Sequence, residues 1–129
     1  LDFQLNLIQS SPVINADMKS IETIVKNLVV NAIHYTPENG SIAISTYNKN
    51  DSAVIEVKDT GIGIAQDQQR RVFERFYRVD KARSRDMGGT GLGLAIVKHL
   101  TQSNGGSVHL ESQLGKGSCF EIHLPLKTS

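Results

Sequence analysis

One amphipathic helix constrains the fold of this 129-residue chain more than any other feature of its sequence. After Asp17, a residue type that often caps helix N-termini, apolar side chains recur at intervals of three and four residues. These side chains are Ile21, Ile24, Val25, Leu28 and Ala32. We expect the helix to end near Tyr35-Thr36-Pro37, because Glu38-Asn39-Gly40 then turns the chain. The apolar side of this helix needs a second layer to pack against.

Segments with strand patterns supply that second layer. Leu1 to Ile8 alternates, with Leu1, Phe3, Leu5 and Leu7 pointing one way, and Pro12-Val13-Ile14 is a short extended piece. Ser41 to Tyr47 and Ala53 to Lys58 are rich in β-branched residues and predict one hairpin. A second hairpin is predicted from Val108 to Ser112 and Cys119 to Leu124, across Leu114-Gly115-Lys116-Gly117.

Two further helices are predicted between the hairpins, from Gln66 to Phe76 and from Leu92 to Ser103. Asn104-Gly105-Gly106 ends the second of them. The segment from Tyr77 to Gly91 has no period and many charges, which favours a mobile loop. This order of strands and helices predicts an α+β fold, a two-layer sandwich with three helices.

The composition limits the possible functions. Fourteen Lys+Arg against thirteen Asp+Glu leave no polycation for DNA or anionic lipid. The longest apolar run, residues 94–97, is far shorter than the ~20 residues of a membrane-spanning helix. The chain begins at Leu1 without a signal peptide, so we interpret it as a fragment or an excised domain. The single Cys119 excludes an internal disulfide, and we expect it to exclude any cysteine-based zinc site.

A polar stripe interrupts the apolar pattern of the first helix. Asn27 and Asn31 lie four residues apart, and His34 and Tyr35 continue the same face one turn further. One interpretation is a solvated helix face. The other is that the amide oxygens bind a hard cation such as Mg²⁺, which is commonly shared with phosphate oxygens.

Two glycine-containing segments are candidates for ligand binding. Asp59-Thr60-Gly61-Ile62-Gly63 leaves a strand, either as a tight turn or as a site where Asp59 accepts from an exocyclic amine and the glycines admit a flat ligand. The run from Gly88 to Leu94 places four glycines in six residues directly before a helix. Free N–H groups and the helix dipole there favour an anion. A flexible linker is disfavoured, because Leu92 and Leu94 already begin the apolar side of the helix.

A basic cluster precedes the glycine-rich run. Seven of the fourteen basic residues lie within sixteen positions, namely Arg70, Arg71, Arg75, Arg78, Lys81, Arg83 and Arg85. Interleaved acids and the absence of Trp favour a solvated face with one or two phosphate-reaching arginines over a nucleic-acid patch. The P-loop, Rossmann and Ser/Thr/Tyr-kinase motifs are absent. His99, His109 and His123 are expected to pack or lie on the surface rather than to act as ligands.

In this order the segments resemble the catalytic ATP-binding domain of sensor histidine kinases. That domain belongs to a superfamily with gyrase, the ninety-kilodalton heat-shock chaperone and the mismatch-repair ATPases. The matching motifs are an N box (Asn27-Leu28-Val29-Val30-Asn31-Ala32 with Tyr35-Thr36-Pro37), a G1 box (Asp59-Thr60-Gly61-Ile62-Gly63-Ile64), an F box (Phe73-Glu74-Arg75-Phe76-Tyr77-Arg78), a G2 box (Gly89-Thr90-Gly91-Leu92-Gly93-Leu94) and a G3 element (Gly115-Lys116-Gly117-Ser118). The segment from Phe73 to Asp80 is similar to membrane-bound phosphate-sensing and cell-wall-sensing kinases.

The resemblance implies a Bergerat-type fold, with a mixed, mostly antiparallel sheet on three helices, that binds ATP and Mg²⁺. Asn31 would bind the metal, Asp59 would read the adenine amine with Ser118 nearby, and residues 78–87 would form a lid. The implied nucleotide-binding residues are Asn27, Asn31, His34, Tyr35, Asp59, Gly61, Gly63, Ile64, Arg78, Arg83, Gly89, Thr90, Gly91, Leu92, Gly93, Leu94 and Ser118.

Three departures from the family pattern shape the expected activity. His34 stands where Lys is common, and its charge near neutral pH depends on its surroundings. Asn27 stands where the ATP-hydrolysing members carry a general-base Glu, and an amide cannot accept a proton from water. No His lies in a phospho-acceptor box, so the acceptor is expected on a helical domain outside residues 1–129.

The resemblance therefore implies that the chain donates the γ-phosphoryl group of Mg-ATP to a histidine of its own dimerisation domain. A response regulator would act through the full-length kinase, and the parent protein would be a homodimeric bacterial membrane sensor whose cytoplasmic part contains this domain. The fragment alone would be monomeric and would contact neither nucleic acid nor the membrane. An ATP-hydrolysing domain and a nucleotide-sensing pseudokinase remain alternatives.

Overall fold

A five-stranded sheet carries the helices on one of its two sides. The computed structural model describes residues 2–6, 17–75, 77 and 93–125. In chain order, the elements within this part are β1 (Asp2–Asn6), α1 (Met18–Tyr35), β2 (Ser41–Lys49), β3 (Ser52–Asp59), α2 (Gly93–Ser103), β4 (Ser107–Gln113) and β5 (Gly117–Pro125). The predicted α+β sandwich is thereby confirmed.

The sheet is mixed, as expected, and mostly antiparallel. Its strand order is β1-β2-β3-β5-β4; β1 runs parallel to β2, and the other neighbours are antiparallel. Both predicted hairpins form, with strands two or three residues longer than the sequence pattern indicated. Alternation along β3 and β5 directs Val57, Phe120 and Ile122 to the helix side, where each is at most 1% exposed.

The first helix begins and buries its apolar side as its sequence predicts. The Asp17 side chain accepts a hydrogen bond from Ser20 N at 3.1 Å, which satisfies one of the free N–H groups of the first turn. Ile24, Leu28 and Ala32 are at most 1% exposed and join the core. This buried stripe fixes which face of α1 remains for the polar residues.

The second helix ends in a Schellman-type turn. Gly105 adopts a φ of 79°, Gly105 N donates to Gln102 O and Gly106 N donates to Thr101 O. Val97 is fully buried and packs α2 into the same core as α1. Neither α1 nor α2, the helices of the described part, is long and apolar enough to cross a membrane.

Two expectations about individual segments were wrong. The segment predicted as a helix from Gln66 to Phe76 forms successive turns over residues 66–75, with i to i+3 bonds such as Arg71 N to Gln68 O. Gln69 Nε2 donates to Ile64 O and Ser112 O, which ties the segment to β4 instead of letting it wind freely. Phe3, expected on the buried side of the first strand, remains 49% exposed because β1 is a sheet edge.

The other expectations near these segments lie outside the described residues. They concern Leu1 and residues 7–8 of the first strand, the extended piece Pro12-Val13-Ile14, Phe76 and the loop at 78–91.

Candidate functional site

The N box, the G1 box and the G3 element meet where β3 ends. Ile62 N donates to Tyr35 O at 3.0 Å, and Gly115 N donates to Ile62 O at 2.9 Å. The G1 loop is thus held between the C-terminus of α1 and the β4–β5 turn. Segments far apart in the sequence therefore form one corner of the sheet, on the side that carries the helices.

Asp59 is a buried carboxylate with one occupied and one open oxygen. It is 4% exposed, and its Oδ1 accepts from Gly61 N at 2.9 Å and from Ser118 N at 3.2 Å. Among the residues that the structure describes, none donates to Oδ2. Burial raises the pKa of Asp59, and the two backbone hydrogen bonds partly oppose that rise. The open oxygen suits a ligand that brings its own N–H donor.

Three glycines allow the backbone segments around Asp59 to come close together. A Cβ at Gly61 would strike the carbonyl of Tyr35, and one at Gly63 would strike that of Gln113. A Cβ at Gly117 would strike the carbonyl of Asp59 and lie 2.9 Å from Thr60 Cα. Gly63 and Gly117 also have positive φ values, of 76° and 122°. The interpretation of this segment as an ordinary tight turn does not account for three such contacts.

Ser112 connects the loop after β3 to β5, a role that no sequence pattern indicated. Its Oγ accepts from Ile64 N at 2.7 Å, donates to Gly117 O at 2.9 Å and lies 2.7 Å from Ser118 Oγ. Gln69, the other residue that sequence reasoning missed, donates from Nε2 to Ile64 O and to Ser112 O. Lone Ser and Gln residues carry no recognisable spacing, so only the tertiary structure reveals them.

The asparagine stripe of α1 faces the beginning of α2. Asn27 Nδ2 donates to Thr23 O at 2.8 Å, which leaves Oδ1 directed at α2, 3.2 Å from where a Cβ on Gly93 would stand. Asn31 is half-buried and makes no side-chain hydrogen bond within the described residues. An unengaged amide oxygen is a suitable ligand for a hard cation, so the chemistry of Asn31 fits Mg²⁺.

The remaining predicted residues divide into those near this corner and those that cannot be placed. Ile64 is 8% exposed beneath the loop, His34 and Tyr35 are half-buried on the last turn of α1, and Leu94 packs against the core from α2. The predicted residues Arg78, Arg83, Gly89, Thr90, Gly91 and Leu92 lie outside the described residues. Of the basic cluster, Arg71 pairs with Glu74 at 3.7 Å and stacks 4.7 Å over Tyr77.

The arrangement combines two kinds of recognition. Asp59 offers a desolvated acceptor at a site that excludes side chains by three close backbone contacts. The N-terminus of α2 offers partial positive charge beside an amide stripe that suits a cation. One end suits a planar amine-bearing group and the other an anion with its counterion.

Known proteins resemble this chain in sequence or in structure. SenX3, a sensor-like histidine kinase of Mycolicibacterium smegmatis, is 55% identical over 103 residues, which cover 80% of this chain and 27% of SenX3. The mycobacterial sensor histidine kinase MprB superposes with a TM-score of 0.85 at 29% identity, over 99% of this chain and 85% of the MprB chain. Full-length ShkA in complex with AMPPNP gives a TM-score of 0.82 at 32% identity, over 99% of this chain and 26% of that one.

This chain spans about a quarter of the length of SenX3. Residues 16–128 match the family described as histidine kinase-, DNA gyrase B- and HSP90-like ATPase. The matched region contains the corner formed by the N box, the G1 box and the G3 element. The chain belongs to this family of nucleotide-binding ATPase domains.

Proposed function

We propose that residues 1–129 are the catalytic ATP-binding domain of a sensor histidine kinase. In this role the chain binds Mg-ATP and presents the γ-phosphoryl group to a histidine on a dimerisation domain outside the chain. A response regulator and a homodimeric parent protein are the partners this role requires. The observation that carries the proposal is Asp59, whose Oδ2 is open in a buried setting formed by three glycines.

Asp59 recognises the adenine amine through Oδ2 while Oδ1 stays bonded to Gly61 N and Ser118 N. Gly61 and Gly63 shape the base pocket together with Ile64, and Ser118 lies beside the carboxylate. Tyr35 and His34 on the last turn of α1 lie toward the ribose and phosphates. Gly93, Leu94 and the preceding glycines hold the polyphosphate at the N-terminus of α2, with Arg78 and Arg83 as its charge partners.

Asn31 would hold the Mg²⁺, and Asn27 lies one turn before it on the same face. When bound, the metal neutralises phosphate charge. Asn27 separates phosphotransfer from hydrolysis, because an amide tied to Thr23 O cannot remove a proton from water. A histidine acceptor is itself a nucleophile and needs no such base.

Phosphotransfer is tested by mixing this chain with a separately prepared dimerisation domain and γ-labelled ATP. The dimerisation domain comes from the chain's own parent protein, and its histidine is replaced by Gln in the control. We expect acid-labile label on the wild-type acceptor only, and its loss with Asp59→Asn in this chain. Nucleotide binding without labelled acceptor would favour the pseudokinase, and release of phosphate to water would favour the ATPase.

A further inference from the structure

The side of the sheet away from the helices carries a second group of chemically active side chains. Glu56 on β3 is directly opposite Glu121 on β5, and Cys119 lies two residues before Glu121 on the same face. Their ligand atoms all lie within 4.8 Å of one another. Cys119 Sγ donates to Glu56 Oε1 at 3.3 Å. We call these three half-buried residues the outer-face cluster.

Histidines hold one member of the outer-face cluster in place. His123 Nε2 lies 2.9 Å from Glu121 Oε1, which leaves Oε2 of that carboxylate for another partner. The His123 ring packs against His109 with centroids 4.4 Å apart, and His109 Nε2 in turn lies 3.0 Å from Ser107 Oγ. Hydrogen bonds of this kind orient the carboxylates that ligate metals.

The outer-face cluster concentrates negative charge. Two carboxylates directly opposite each other on neighbouring strands repel. Lys58 on β3 and Glu111 on β4 line the same cleft. The cleft measures about 370 Å³ and leaves room for an ion with water ligands.

We propose that the outer-face cluster binds a borderline divalent transition-metal cation of the Zn²⁺ class, through Cys119 Sγ and carboxylate oxygens of Glu56 and Glu121. His123 acts as a positioning residue for Glu121. On binding, the Cys119 S–H proton passes to solvent and a sulfur–metal bond forms, with no change of oxidation state. Water completes the four-coordinate shell that Zn²⁺ prefers.

The donor set selects the cation class. A thiolate favours Zn²⁺, whereas Mg²⁺ and Ca²⁺ take oxygen ligands only. Metal–ligand bonds of about 2.0–2.3 Å require the three ligand atoms, which lie within 4.8 Å of one another, to converge further when the ion binds. From the single Cys we expected any cysteine-based zinc site to be excluded, since further Cys ligands are absent, and the present proposal replaces that expectation. The sheet register supplies carboxylates instead.

The test titrates the reduced chain with Co²⁺ in excess Mg²⁺ and without nucleotide, and then with Zn²⁺ as competitor. We expect a thiolate-to-Co²⁺ charge-transfer absorption that saturates at one equivalent and disappears when Zn²⁺ is added. Cys119→Ser should abolish the band. Glu121→Gln and His123→Gln should each weaken Zn²⁺ affinity about 10–100-fold, and the His123 variant should retain the band.

Glu22→Gln is the matched control, because it removes one exposed carboxylate from α1 and should leave Zn²⁺ affinity unchanged. Circular dichroism and ATP affinity verify that every variant is folded. Absence of the band, or equal Zn²⁺ affinity in Cys119→Ser and the parent chain, would overturn the proposal. These outcomes are independent of phosphotransfer, because the metal titration contains neither nucleotide nor acceptor domain.

Discussion

Asp59 keeps a carboxylate where water hardly reaches it, with two backbone amides on one oxygen. Burial raises its pKa, so the charged form costs stability at neutral pH. A bound N–H donor at Oδ2 would stabilise the charged form and offset that cost, and the geometry suits an amine donor there. We therefore expect Asp59 to contribute to ligand binding and not to the stability of the fold.

Asp59→Asn should weaken ATP binding about 10–100-fold. A hydrogen bond to a charged acceptor typically contributes about 1.5–3 kcal/mol, and the variant loses the charge of that acceptor. The Asn side-chain oxygen can still accept from Gly61 N and Ser118 N, and the cost of burying charge disappears. We therefore expect the free energy of unfolding without nucleotide to stay equal or rise. Calorimetric titration and urea unfolding measure the two quantities. Unchanged ATP affinity would contradict the role proposed for Asp59.

Gly117 and Gly115 form a matched pair, because both have positive φ but only Gly117 lacks space for a side chain. Gly115→Ala should lower the free energy of unfolding by about 1–2 kcal/mol, because Ala is strained in the left-handed backbone conformation. Gly117→Ala should lower the free energy of unfolding by about 1–3 kcal/mol more than Gly115→Ala does, because the new Cβ collides with the carbonyl of Asp59. Urea unfolding of both variants separates the two effects. Equal losses of unfolding free energy in the two variants would show that the backbone around Asp59 can move away from residue 117.

The elements differ in how well local sequence determines them. For α1 the cap, the apolar spacing and the terminating Pro37 all agree, and the structure follows them. For residues 66–75 the apolar spacing resembles that of a helix, but Val72 is the only deeply buried apolar anchor there and Gln69 bonds to β4. Tertiary hydrogen bonds therefore decided the conformation, and no local pattern could reveal them.

Replacement of the cap tests the contribution of one element. Asp17→Ala removes the acceptor for Ser20 N and should lower the free energy of unfolding by about 1 kcal/mol. Asp17→Asn keeps an acceptor and should be nearly neutral. ATP affinity should change in neither variant, because Asp17 begins the helix at the end remote from Tyr35. A destabilised Asn variant would show that the charge, not the hydrogen bond, matters.

As a whole, the molecule places different chemical groups on the two sides of one sheet. The sequence motifs predicted the corner around Asp59 because they lie in contiguous runs. They could not predict Ser112 or the outer-face cluster, because those residues come together only through strand register. The register itself depends on how hairpins far apart in the sequence pair with each other.

The intact chain should bind Mg-ATP yet hydrolyse it more slowly than about 1 s⁻¹, the low end of ordinary enzyme turnover. Asn27 provides the reason, because its amide cannot serve as a base. Asn27→Glu should raise hydrolysis by about 10²-fold, within the range for a positioned base. Asn27→Gln keeps an amide and should not. Phosphate release is the measurement, and fast release by the unmodified chain would reject the kinase assignment.

Two amide protons from different segments of the chain end on a single oxygen of Asp59. In an NMR spectrum, the chemical shifts of the Gly61 and Ser118 backbone amides should therefore both report the charge of this one carboxylate. Both should titrate with the same midpoint, above the ordinary aspartate value of 3.8. Between pH 3.8 and the raised pKa of folded Asp59, the folded state binds more protons than the unfolded state. The free energy of unfolding should therefore fall as pH rises through this interval. Nucleotide that binds at Oδ2 should shift both amide signals together, so the fraction of Asp59 sites occupied by nucleotide can be followed without labelling the nucleotide.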